Sequence, residues 1–178
     1  MIIVEGPDGG GKTTLARNLS ETLDIDILPK AVGADTQARV DLREWTDQHV
    51  AWDWHIYDRH NLISDPIYSI ILDRSKPDIY DPEWLMSAMM KFYEARPIII
   101  YCIPPLPVVT KNCIEGADDN SAVIPHLPMI HQAYIARASI DEAFGVGTFY
   151  DYTQDDNNWV IDYVRAMMSP RNRGSAHG

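Results

Sequence analysis

Residues 1–20 read MIIVEGPDGGGKTTLARNLS. The apolar run 2–4 leads into Gly6-Pro7-Asp8-Gly9-Gly10-Gly11-Lys12-Thr13, which has the form G-x-x-x-x-G-K-T, with Thr14 next. A helical pattern follows at once. The spacing has a physical reason. Glycines let the backbone take positive φ and bring N–H groups close to phosphate oxygens. The loop opens onto a helix N-terminus, where unpaired N–H groups and the helix dipole favour anions. Lys12 is placed to reach β- and γ-phosphates, and the Thr13 hydroxyl to ligate Mg²⁺. Gly6 to Thr14 are therefore the expected ATP-binding set. Strand, loop and helix stand in the order the motif requires, which sets it apart from a chance glycine-rich turn.

Working outward, apolar strand-like runs alternate with helical periods along the whole chain. Strands are expected at 2–4, 24–28, 55–58, 97–103 and 148–152. Residues 97–103 (PIIIYCI) are apolar throughout, the mark of a central strand buried on both faces. Helices are expected at 12–23, 36–51, 61–72, 82–95, 108–114, 126–144 and 157–168. Pro66 suits a first turn better than a helix interior, which predicts an irregular start to the third helix. Asp81-Pro82 reads as an N-cap followed by proline at the first helical position. The alternation argues for a parallel sheet with helices on both faces. No internal repeat or linker breaks it. The expectation is one domain over 1–168, with a Gly/Ser/Arg-rich tail at 169–178.

The chain has 178 residues, enough for one domain with a sizeable core. No apolar run approaches the ~20 residues that cross a bilayer, and no basic-then-apolar leader precedes the first strand. A cytoplasmic protein is expected. Cys102 and Cys113 lack metal-type spacing. The net charge of −11 repels nucleic-acid backbones. It favours a small-molecule nucleotide partner over nucleic acid; a homodimer is left open.

The stretch IVEGPDGGGKTTLARNLS resembles the thymidylate kinases, whose loop reads E-G-x-D-G-x-G-K-[ST]-T. Glu5, Gly6, Asp8, Gly9, Gly11, Lys12, Thr13 and Thr14 all match. Tyr57-Asp58-Arg59-His60-Asn61-Leu62-Ile63-Ser64 is similar to the second signature, D-R-[YH] with a serine a few residues on; here one extra residue precedes that serine. Compact acidic chains of this kind also resemble phage-type nucleotide kinases. The resemblance implies a P-loop three-layer sandwich, with a five-stranded parallel sheet in the order 2-3-1-4-5. It implies Mg²⁺- and ATP-dependent phosphoryl transfer to a deoxynucleoside monophosphate such as dTMP. It places Asp8 near the acceptor sugar and the metal, Arg59 on the acceptor phosphate, and Asp58 near the metal and the transferring group. Where the family has Arg-Glu-Pro, this chain has Pro29-Lys30-Ala31, which makes Lys30 a further candidate for that phosphate. Ser64 and Tyr68 fall where the family builds its base pocket. Tyr68 ranks first for stacking, ahead of Trp45, Trp52, Trp54 and Tyr57.

One departure matters. Thymidylate kinases offset transition-state charge with an arginine in the P-loop or in a lid. Residues 7–10 contain none, and the lid-like segment 115–125 has no Lys or Arg. Arg137, on the helix after that segment, is the leading substitute, ahead of Lys111 and Arg74. Three rivals accompany the monophosphate kinase. They are a deoxynucleoside kinase with Asp58 or Glu5 as base, a kinase acting on DNA or a modified base, and a catalytically silent nucleotide-binding regulator.

Overall fold

Side chains alternate along β1 (Ile2–Glu5): Ile2 and Val4 enter one core, while Ile3 packs in the other. The same alternation runs along β4 (Ile98–Cys102), with Ile98, Ile100 and Cys102 on the first face and Ile99 and Tyr101 on the second. A strand buried on both faces needs no polar alternation, which is why these runs read as continuously apolar. In this computed structural model, residues 1–28, 42–49, 54–73, 81–116 and 121–169 are described. They form β1, α1 (Lys12–Leu23), β2 (Ile27–Leu28), α2 (Leu42–His49), β3 (Ile56–Asp58), α3 (Asn61–Ile71) and α4 (Pro82–Glu94). There follow β4, α5 (Leu106–Glu115), a single 3₁₀ turn at Ile124–His126, α6 (Leu127–Ala143), β5 (Gly147–Tyr150) and α7 (Asn157–Met168).

The sheet is parallel and ordered β2-β3-β1-β4-β5, as expected. Helices α1 and α7 cover the face of Ile2, Val4 and Ile100, through Leu15, Leu19, Val160 and Val164. Helices α3 to α6 cover the other, through Leu62, Phe92, Val109, Ile130 and Tyr134. The expected stripe of α6, Leu127, Ile130, Tyr134 and Ala138, is buried as one face. The Asp81 side chain accepts from the Glu83 and Trp84 N–H groups, so the cap and proline pair starts α4 as the sequence predicts.

Several boundaries differ. β2 is only Ile27–Leu28, an edge strand paired with β3 alone. The Asp24 backbone is left-handed and closes α1, which delays the strand. Pro66 lies inside α3 rather than near an irregular start, because His60 already caps that helix at Asn61. α5 begins at Leu106, two residues before its expected start, since Pro107 is tolerated in its first turn. β5 ends at Tyr150 and the 151–156 loop follows. The expected early part of α2, residues 117–120 of the lid-like segment, and the tail beyond Ser169 lie outside the described residues. Among the described residues no helix is long and apolar enough to cross a membrane.

A buried polar cluster ties α6 to the sheet. Asp141 is fully buried and accepts from Tyr93 Oη at 2.6 Å, from Arg137 Nε at 2.9 Å and from the Tyr101 hydroxyl. Removing the carboxylate would strand a mostly buried guanidinium and two phenols. Asp141→Ala is expected to cost about 3–5 kcal/mol in urea denaturation, and a loss below about 1 kcal/mol would contradict this role.

Candidate active site

The P-loop is shaped by close approach to the sheet. A Cβ on Gly6, whose φ is +139°, would run into the Cys102 carbonyl oxygen of neighbouring β4. Gly11 is left-handed (φ 86°) and starts α1, which carries no side-chain cap. The Asn112 side chain donates to the Gly9 carbonyl at 2.8 Å and to the Tyr152 hydroxyl at 2.7 Å, pinning the loop from α5. Lys12 is nearly buried, and its Nζ donates to the Pro7 carbonyl at 2.6 Å. Burial and the nearby Arg59 charge pull the Lys12 ammonium down to about 8, against the attraction of Asp8 and Asp58.

The second signature meets this loop because β3 lies beside β1, with Val4 opposite Asp58. Thr13 Oγ1 donates to Asp58 Oδ2 at 2.7 Å. A hydroxyl and a carboxylate are hard oxygen ligands of the kind Mg²⁺ takes. Among the described residues no group of three or more His, Cys, Asp or Glu could hold a metal. The Thr13–Asp58 pair supplies two ligands of that kind, the number that suits a Mg²⁺ carried in by nucleotide phosphates.

Arg59 is the centre of the site. Its backbone is left-handed (φ 78°), and its N–H donates to the Val4 carbonyl at 3.0 Å. Its Nη2 is ion-paired with Asp8 and donates to the Tyr68 hydroxyl at 3.1 Å. The Tyr68 hydroxyl also donates to Asp8 Oδ2 at 3.0 Å and accepts from the Asp8 N–H at 3.1 Å. The guanidinium carbon lies 4.7 Å from the Tyr68 ring centroid. Both side-chain hydrogen bonds of Arg59 leave from Nη2, so Nε and Nη1 are unengaged among the described residues, on a side chain 21% exposed.

Glu5 lies beneath this group and is fully buried. Its Oε1 accepts from the His60 N–H at 2.5 Å and its Oε2 from the Tyr134 hydroxyl at 3.1 Å. Burial pushes the Glu5 carboxyl up to about 7, against Arg59, the His60 N–H and Lys12. Burial also holds His60 near 3, a neutral imidazole whose Nδ1 accepts the Leu62 N–H at 3.3 Å.

Other expected residues are placed elsewhere. Tyr68 is 5% exposed with the Arg59 guanidinium over its ring, so it supports the arginine rather than offering an open stacking face. Ser64 turns its hydroxyl back to the His60 carbonyl at 3.1 Å, a bond within α3. Arg137 is engaged by Asp141 and by Tyr93 Oη at 3.1 Å, which holds it in the α6 anchor rather than ready to swing. Lys111 is exposed and pairs loosely with Glu115 at 4.0 Å. Lys30, Trp52 and Arg74 lie outside the described residues. Trp45 stacks on His49 at 4.3 Å, and Trp54 is 36% exposed. Sequence reasoning missed Asn112, which reaches the loop from α5, and Tyr134, which reaches Glu5 at the end of β1 from α6; neither belongs to a motif. It matched Glu5 to a pattern without seeing what the carboxylate grips.

The architecture has solved counterparts. YorR of Bacillus subtilis, in complex with phosphorylated GDP, is 19% identical with a TM-score of 0.71, over 97% of each chain. The deoxyadenosine kinase of M. mycoides with bound dCTP is 15% identical with a TM-score of 0.61, over 93% of this chain and 100% of that one. With bound dATP it aligns at 12% identity and a TM-score of 0.59. The chain has the P-loop kinase fold. Identities this low speak to the fold alone. No protein-family model and no curated protein sequence matches the chain.

In this P-loop kinase fold the Glu5 shift has a defined sign. The ordinary value is 4.5 and the folded one lies above it. The stability contributed by Glu5 is therefore fullest below the unfolded value and is lost as pH rises through about 7. Glu5→Gln removes that loss. Its urea midpoint relative to wild type should rise from about pH 5 to about pH 8. Parallel pH courses for the two proteins would refute the shift.

Proposed function

We propose that the chain transfers the γ-phosphoryl group of ATP, with Mg²⁺, to a deoxynucleoside monophosphate, with dTMP the first acceptor to test. One observation carries this reading: Arg59 pairs through Nη2 with Asp8 of the loop that carries Lys12 and Thr13, while among the described residues its Nε/Nη1 edge is unengaged. A planar guanidinium edge suits a phosphate bidentately. In this reading Arg59 holds the acceptor phosphate, and Asp8 balances its charge and receives a sugar hydroxyl. Lys12, with the loop N–H groups, binds the donor phosphates. Mg²⁺, held by Thr13 and Asp58, would neutralise charge on those phosphates. The protein supplies position and electrostatics, which is most of what phosphoryl transfer asks of it.

A second reading takes a deoxynucleoside as acceptor. The Asp8 carboxylate favours it, being 25% exposed and reachable by a sugar hydroxyl that displaces Tyr68 from Oδ2, whereas Asp58 is nearly buried against Thr13. Glu5 does not serve as that base, since it is fully buried beneath the loop's end of β1 and no acceptor hydroxyl reaches it. A coupled ADP-release assay over deoxynucleosides, their monophosphates and DNA separates the readings. Turnover with monophosphates supports the first and turnover with nucleosides the second. Turnover with none leaves a silent nucleotide-binding protein.

Lys12→Ala is expected to abolish turnover while the thermal transition persists. Near wild-type turnover would overturn the P-loop assignment. Arg59→Ala should raise the acceptor KM by about tenfold or more, equivalent to roughly 1.4 kcal/mol, with the ATP KM changing far less. Equal changes in both would remove Arg59 from the acceptor site.

A further inference from the structure

A left-handed arginine next to the P-loop has to be held there. Among the described residues only Asp24, Arg59, Asp73 and Arg96 take positive φ without being glycine, and of these Arg59 alone belongs to the site. Such a backbone persists only where its surroundings over-determine it. Two bonds flank it. The Arg59 N–H is fixed to the Val4 carbonyl, and the next N–H, of His60, is fixed to Glu5 Oε1 at 2.5 Å. The other carboxylate oxygen takes the hydroxyl of Tyr134, which is fully buried on α6. Glu5 thus joins β1, the Asp58–Arg59 turn and α6 through one side chain. The charges facing it are Arg59 and Lys12, and the phenols are Tyr134 and, from β4, Tyr101.

We propose that Glu5 is a positioning residue for Arg59: gripping the His60 N–H, it fixes the left-handed turn, and its carboxylate, braced by Tyr134, holds the open guanidinium edge toward the acceptor. Glu5 itself touches no reacting atom. Burying a carboxylate is costly, and a hydrophobic residue would fill this space more cheaply. The cost is explained if the carboxylate holds the arginine that Asp8 and Tyr68 grip from the other side. Tyr134 then acts at one remove, because without its hydroxyl the Glu5 side chain loses a stop against rotation. The proposal rests on the reading of Arg59 as the acceptor group, so one of its readouts needs no turnover.

The test uses the full chain as wild type, Glu5→Gln and Tyr134→Phe. Steady-state kinetics give the acceptor and ATP KM values. Nitrogen-edited NMR reads the Arg59 guanidinium, assigned by its loss in Arg59→Lys. Glu5→Gln should raise the acceptor KM by about tenfold with the ATP KM within about twofold, and should broaden the Arg59 signals through renewed rotation. Tyr134→Phe should move both readouts the same way and by less. Equal rises in both KM values, or unaltered Arg59 signals in Glu5→Gln, would overturn the proposal. If Glu5→Gln does not fold, Tyr134→Phe decides by the same criteria. If the wild type turns over no acceptor, the functional reading fails by itself, and the Arg59 signals alone support or overturn the positioning role.

Discussion

Val4 stands opposite Asp58 across two parallel strands, and the chemistry of the molecule depends on that register. β1 runs directly into the P-loop, and β3 runs directly into Arg59. Parallel pairing brings both ends to one edge of the sheet, the place where open α/β sheets bind ligands. A one-residue slip of β3 would turn Asp58 from one face of the sheet to the other and break its bond to Thr13. The Arg59 N–H on the Val4 carbonyl extends the register one residue past the strand and delivers the guanidinium to Asp8. The flanking cores, rich in isoleucine on β1 and β4, keep that pairing in place.

Charge is balanced locally although the chain as a whole is strongly acidic. Arg59 is shared between Asp8 and the Tyr68 hydroxyl, while Glu5 is gripped from below by His60 and Tyr134. Asp58 meets Thr13. Among the described residues the Nε/Nη1 edge of Arg59 is unengaged, while Asp8 balances the charge through Nη2. Away from this cleft, Arg137 spends its charge on Asp141 and Tyr93 and ties α6 to α4.

The fold was legible because its signals are local and periodic. The G-x-x-x-x-G-K-T run, the apolar β4 and the Asp81-Pro82 cap each act over a few residues, and each sits where the periodicity places it. Boundaries slipped where backbone geometry overrode pattern, as at left-handed Asp24 and at Pro66 inside α3. The meeting of Asp8, Asp58 and Arg59 was legible through paired signatures. The side-chain directions of Tyr68, Ser64 and Arg137 were not, since residue type and position do not reveal which way a side chain turns. Asn112 reaches the loop and Tyr134 reaches Glu5 across long sequence separations, so no local pattern announces them.

The central claim is that one cleft holds donor phosphates on the P-loop and an acceptor phosphate on Arg59. A crystal structure with dTMP, Mg²⁺ and a non-hydrolysable ATP analogue tests it most directly. The account predicts the dTMP phosphate on the Nε/Nη1 edge of Arg59, with the analogue's β- and γ-phosphates along Gly9 to Thr13. A dTMP phosphate bound away from Arg59, or a P-loop that takes no triphosphate, would contradict it.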